Sequence, residues 1–140
     1  MHDVMIQAAR LITPYKLRSY ELMQIGAGSR VLDMGCGGGV DTAQLAQIVG
    51  QAGHVVGIDR DQPSLQRASA AGAPSKRAEH LMAIAERLPF RNASFDASRS
   101  DRVFQHLHEP ERAVRELRRV TRPGGWVVLA ESDDATYTQD

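Results

Sequence analysis

The stretch from Arg30 to Gly39 constrains this chain most. An apolar start (Val31, Leu32) leads to an acid, Asp33, and then to glycines at 35, 37, 38 and 39. Such a stretch reads as a strand that ends near a carboxylate and opens into a turn with almost no side chains. Glycine adopts positive φ freely and lets a ligand approach the backbone closely. A helical pattern follows at once, with Ala43, Leu45, Ala46, Ile48 and Val49 on its buried side. The unpaired N–H groups of that helix start would point into the turn. A strand, a glycine turn and a helix start in this order make a nucleotide-type binding site.

The rest of the chain continues the alternation. Strands are expected over residues 30–34, 54–59, 80–84, 95–100 and 126–130, and helices over 40–50, 62–71 and 109–121. His54 to Asp59 is an apolar run ending in an acid, the pattern of a parallel strand covered on both faces. Phe95 to Ser100 is polar for a strand, and Pro123-Gly124-Gly125 reads as a break before Trp126. Residues 1–25 read as one or two helices interrupted at Pro14. They would pack over an edge of the sheet, or form a lid from which Tyr15 or Tyr20 touches a ligand. Alternating strands and helices imply an open parallel sheet with helices on both faces. At 140 residues and 42% hydrophobic, the chain suits one domain with a real core. Its divisions would be a helical cap (1–28), a core (29–131) and a polar tail (132–140).

Composition excludes several classes. Seventeen basic residues balance seventeen acidic ones, which argues against nucleic acid as a main partner. No apolar run is long enough to span a bilayer, and the N-terminus does not resemble a signal peptide. One cysteine, Cys36, precludes an intrachain disulfide and fits a cytoplasmic location. Cys36 reads as a small filler rather than a nucleophile, since no partner base is evident. His106 and His108 with Glu109 are too few and too local for a metal site, so no metal is expected.

Gly35, Gly37 and Gly39 follow Asp33 in the order acid-x-Gly-x-Gly-x-Gly, and Val40 occupies the sixth place from Gly35. The dinucleotide fingerprint needs glycine there, which disfavours NAD. From Val31 to Gly37 the chain instead resembles the class I S-adenosylmethionine-dependent methyltransferases, in particular the group that includes the ubiquinone and menaquinone biosynthesis C-methyltransferases. Four further stretches are similar to that family's motifs in order: Val56 to Asp59, Ala85 to Phe90, Ser94 through Leu107, and Arg119 to Gly125.

The resemblance covers about residues 29–134. It implies an α/β fold, a Rossmann-like three-layer sandwich whose mostly parallel sheet has about five strands, without the family's C-terminal antiparallel hairpin. It implies S-adenosylmethionine as cofactor, S-adenosylhomocysteine as product, and in-line methyl transfer to a small-molecule acceptor. Asp59 would accept hydrogen bonds from the ribose hydroxyls, with Arg60 beside it. Asp33 would accept, directly or through water, from the amino group of the methionine half, or serve as a structural tie. Gly35, Cys36 and Gly37 would leave room for the cofactor. Ala85 and Glu86 would meet the adenine, and backbone groups near Arg99 and Ser100 the methionine moiety. Family members commonly carry an acid where this chain has Ile84. No residue commits to catalysis, and His106 is the only candidate base. The fifth strand would keep an exposed edge, open to pairing with a second copy. A truncated, catalytically incomplete cofactor-binding module, or a fragment of a longer enzyme, is the alternative reading.

Overall fold

The computed structural model describes residues 16–71 and 77–130. Its strands are β1 (Arg30–Met34), β2 (His54–Asp59), β3 (Ala78–Met82), β4 (Phe95–Asp101) and β5 (Thr121–Ala130). They form one parallel sheet in the order β3-β2-β1-β4-β5. Residues 16–22 are helical (α1). They are followed by α2 (Val40–Val49), α3 (Gln62–Ala71), a 3-10 turn (Phe104–His106) and α4 (Pro110–Val120). The strand order turns back beside β1: β2 and β3 lie on one side of it, β4 and β5 on the other. In open α/β sheets that switch point, at the carboxyl ends of the strands, is where ligands bind.

Alternation along the strands feeds two cores. Val31, Val55 and Ala97 pack with Tyr20 and Met23 beside α1 and with Leu45, Ala46 and Val49 of α2. Leu32, Met34, Val56 and Ile58 face the other way, onto Ala113, Leu117 and Val120 of α4 and onto Leu88 and Phe95. Each Val, Leu, Ile, Met or Phe among them, fully buried, contributes about 1.5–3 kcal/mol. Both faces of β1 and β2 are therefore covered, which explains their apolar sequences. Gly57 makes one close approach possible: a Cβ there would lie 2.9 Å from Cys36 Cβ and 3.0 Å from Thr42 Cγ2. The glycine turn thus rests directly on β2, with Cys36 buried against it.

Three boundaries differ from expectation. β3 lies two residues earlier than read, because an edge strand that is largely exposed carries little apolar signal. β4 runs one residue further, to Asp101. β5 starts at Thr121, directly after α4, and passes through Pro123-Gly124-Gly125 instead of beginning after them. Thr121 pairs with Phe95, and the register shifts between Phe95 and Ala97. A proline is tolerated there because β5 is an edge strand, whose outer side needs no ladder donor. The Pro14 interruption, Tyr15 and the tail at 132–140 lie outside the described residues.

Candidate functional site

The glycine turn is held by its own backbone. The amides of Gly35 and Cys36 both donate to the Ile58 carbonyl, at 2.8 and 2.9 Å, and Gly39 donates to the Cys36 carbonyl at 2.9 Å. Gly35 has φ of +76°, and a Cβ on it would sit 2.1 Å from Val103 Cγ2. This position therefore demands glycine on two grounds. The first turn of α2, after Gly39, has no side-chain cap. Asp59 ends β2 beside the turn. Its Oδ2 accepts from the Gly37 amide and its Oδ1 from the Asp61 amide, each at 2.9 Å.

These elements border a crevice of about 640 Å³. That size falls among sites for small ligands and cofactors, roughly 300–1,000 Å³. Met34, Gly35, Ile58, Asp59 and Arg60 line it together with Ala83 to Arg87. Asp101 to Val103 and the stretch from His106 to Glu109 contribute as well, with Arg112 of α4. Of the residues expected at the site, the crevice gathers Gly35, Asp59, Arg60, Ala85, Glu86 and His106. Gly37 joins through its bond to Asp59. Ile84, in the place of the family's acid, is exposed and lines the crevice.

Arg99 and Ser100 do not line it. Both are fully buried. At the end of β4 and just beyond it, Asp101 and Arg102 line the crevice instead. Tyr20 does not line it either; its buried phenol donates to Asp41. The loop beyond Glu86 is clamped from behind, which the sequence did not disclose. Arg119 donates to the carbonyls of Leu88 (3.1 Å) and Phe90 (2.7 Å), while Glu116 accepts from the Leu88 amide at 2.8 Å.

Beneath the turn lies a buried ionic cluster. Arg99 Nη1 is 3.7 Å from Asp33 and 3.2 Å from Asp41, and its Nη2 is 3.3 Å from Asp101. Its Nε donates to Ser19 Oγ at 3.0 Å, and the guanidinium lies 5.1 Å from the Tyr20 ring centroid. Lys16 reaches Asp41 at 3.0 Å and Asp101 at 3.9 Å. Burial pushes the Asp33 carboxyl up to about 7, with Arg99 opposing the rise. Burial alone would raise Asp41, but bonds from Tyr20 and Lys16 and the charge of Arg99 hold it below its ordinary value. Burial, with Asp33 and Asp59 nearby, pushes the Cys36 thiol up to about 12. This cluster explains the polar sequence of β4, which was the only hint of it in the chain. Among the described residues, no group of three or more His, Cys, Asp or Glu is placed to hold a metal ion.

Residues 32–129 match a family model described as methyltransferase domain. The demethylmenaquinone methyltransferase of Clavibacter sepedonicus is 36% identical over 105 residues, covering 75% of this chain and 42% of its own length. A solved SAM dependent methyltransferase from Aquifex aeolicus superposes with a TM-score of 0.71 at 26% identity, over 77% of this chain and 58% of that one. The cyclase SpnF superposes with a TM-score of 0.77 at 29% identity, over 83% of this chain and 43% of that one. The chain spans about two fifths to one half of the length of the curated relatives it matches.

Proposed function

The chain belongs to the methyltransferase domain family, and from that premise we propose that it binds S-adenosylmethionine in the crevice and transfers the methyl group to a small-molecule acceptor. The observation that carries this reading is the Asp59 carboxylate, fixed on the Gly37 amide at the carboxyl end of β2 beside a turn without side chains. The residues fit an adenosine-bearing cofactor. Gly37 leaves the space a Cβ would fill open, with no other atom within 4 Å of it, and Asp33 Oδ2 is buried without a hydrogen-bond partner.

Asp59 would keep its backbone donors and accept from two ribose hydroxyls on its remaining lone pairs. Charge-assisted bonds of that kind contribute about 1.5–3 kcal/mol each. Ala85, Glu86 and Ile84 would flank the adenine. Ile84 replaces a hydrogen-bonding acid with apolar contact, so the Ala85 backbone and Glu86 carry the polar recognition. Asp101 and Arg102 border the methionine end. When bound, S-adenosylmethionine supplies an already activated sulfonium methyl. The protein's task is then alignment, and proximity can contribute about 7–11 kcal/mol. His106 faces the crevice and is the candidate base for a carbon or oxygen acceptor.

The second reading is a cofactor-binding module without turnover, or a part of a longer enzyme. SpnF, a cyclase on the same fold, is a reminder that the fold alone does not fix the reaction. A single cysteine, and the absence among the described residues of a helix long and apolar enough to cross a membrane, support a cytoplasmic placement. A second copy of the chain would pair along the outer edge of β5.

Calorimetry with S-adenosylmethionine and S-adenosylhomocysteine tests the cofactor reading. Asp59→Ala is expected to weaken binding roughly tenfold or more, given the bonds lost. Unchanged affinity would refute the ribose assignment. Transfer of a labelled methyl across an acceptor panel separates enzyme from module.

A further inference from the structure

We propose that the crevice continues past Ile84 into a subsite for a group carried on the amino nitrogen of the cofactor's base, and that this subsite favours an anionic group. This rests on the cofactor reading above and deepens it at one end of the same crevice.

The crevice has two unlike ends on either side of Asp59. Toward β4 it is lined by Asp101 and Arg102, both charged. Toward β3 it is lined by Ala83, Ile84 and Ala85, all apolar. A ribose held on Asp59 sends its base one way and its amino-acid chain the other. The flat ring suits the apolar end, and the charged amino-acid group suits the polar one, since charge is costly to place among apolar groups. The base then lies along Ala83 to Ala85. Its six-membered ring, which bears the amino group, is the part furthest from the ribose.

A second hollow, of about 380 Å³, lies at that far end. It is lined by Arg60, Met82, Ala83, Ile84, Arg87 and Pro89. Four of these, Arg60, Ala83, Ile84 and Arg87, line the crevice too, so the two spaces share a wall. Asp59 does not line the hollow, which sets it beyond the ribose anchor. The shared wall is open to solvent: Ile84 is 52% exposed and Met82 beside it 64%. Backbone bonds fix this rim. The Ala83 amide donates to the Asp59 carbonyl at 3.1 Å, and the Arg87 amide to the Ile84 carbonyl at 3.2 Å.

The polar groups differ between the two spaces. Glu86 lines the crevice but not the hollow. It would accept one of the two N–H bonds of the base's amino group, leaving the other for a substituent that passes Ile84. The hollow has two arginines and no acid in its lining. Among the described residues, neither the Arg60 nor the Arg87 guanidinium makes a hydrogen bond or an ion pair. An apolar floor of Met82, Ile84 and Pro89 between two such cations fits an apolar group that ends in a carboxylate, and opposes one that ends in an amine.

The test is calorimetry on the wild-type chain with S-adenosylhomocysteine and three derivatives substituted on the base's amino nitrogen: benzyl, 4-carboxybenzyl and 4-(aminomethyl)benzyl. The benzyl derivative should bind within about threefold of the parent, its apolar contact offsetting the cost of ordering it. The carboxybenzyl derivative should bind roughly tenfold more tightly than the aminomethyl one at low salt, and the gap should shrink as salt screens the arginines. Arg60→Gln combined with Arg87→Gln, both changes at exposed positions, should erase that order. A loss of about tenfold or more for the benzyl derivative, the mark of a clash, would overturn the subsite while S-adenosylhomocysteine still binds. Equal binding of the two charged derivatives, or an order that survives the double substitution, would overturn the preference for an anion. Failure of S-adenosylhomocysteine itself to bind would overturn the cofactor reading, and the subsite with it.

Discussion

Arg99 shows how much one residue can settle. It is the largest fully buried side chain among the described residues, and it joins β1, β4, α1 and the first turn of α2. Replacing a buried ionic group as a set can be neutral, but removing one partner strands the others. Arg99→Met should therefore cost about 3–5 kcal/mol, measured by urea denaturation, because Asp33, Asp41 and Asp101 would each lose the buried guanidinium beside them. The residues most legible in the sequence were those whose chemistry is local. Asp59 announces itself at the end of an apolar run, and Gly35 by its spacing from Asp33. Arg99 did not announce itself, because its partners lie far off in the chain: Ser19 is 80 positions away. Its buried setting exists only after the sheet has assembled, so the resemblance alone pointed to a ligand-facing strand end there.

Among the elements, β1, β2, α2 and α4 were readable because burial imposed a regular apolar pattern on each. The bounds of β3 and the start of β5 were not, since pairing with a neighbour, rather than their own composition, sets them. Arg119 of α4 turns back to the loop that lines the crevice. It also bonds Glu116, whose carboxyl its hydrogen bond holds below the ordinary value. α4 thereby fixes the shape of a ligand-facing segment it does not itself form. Arg119→Ala should lower stability by about 1–2 kcal/mol for bonds only partly shielded from solvent. Hydrogen exchange at the Leu88 amide should speed up, while amides in β1 keep their protection. An unchanged Leu88 rate would mean that the clamp is ornamental.

At the scale of the whole molecule, the sheet is sealed above and below but open at its sides among the described residues. Trp126 of β5 is 46% exposed and Leu129 is 43% exposed. An edge with apolar side chains is a template for further pairing. Self-association through β5 should appear in sedimentation velocity as a weight that rises with concentration. Trp126→Lys should suppress it, since a charge on an edge strand opposes strand addition. Trp126 is the only tryptophan in the chain, so its emission should shift to the red on dilution if that edge is covered by a second copy. Equal sedimentation at all concentrations would leave the edge without a partner of its own kind. The contact between Cys36 and Gly57 reaches furthest. No side chain on β2 intervenes there, so the sulfur meets solvent only when the turn lifts away from the strand beneath it. The chain's single thiol should therefore react slowly with an external reagent, at a pace set by how often the glycine turn parts from β2.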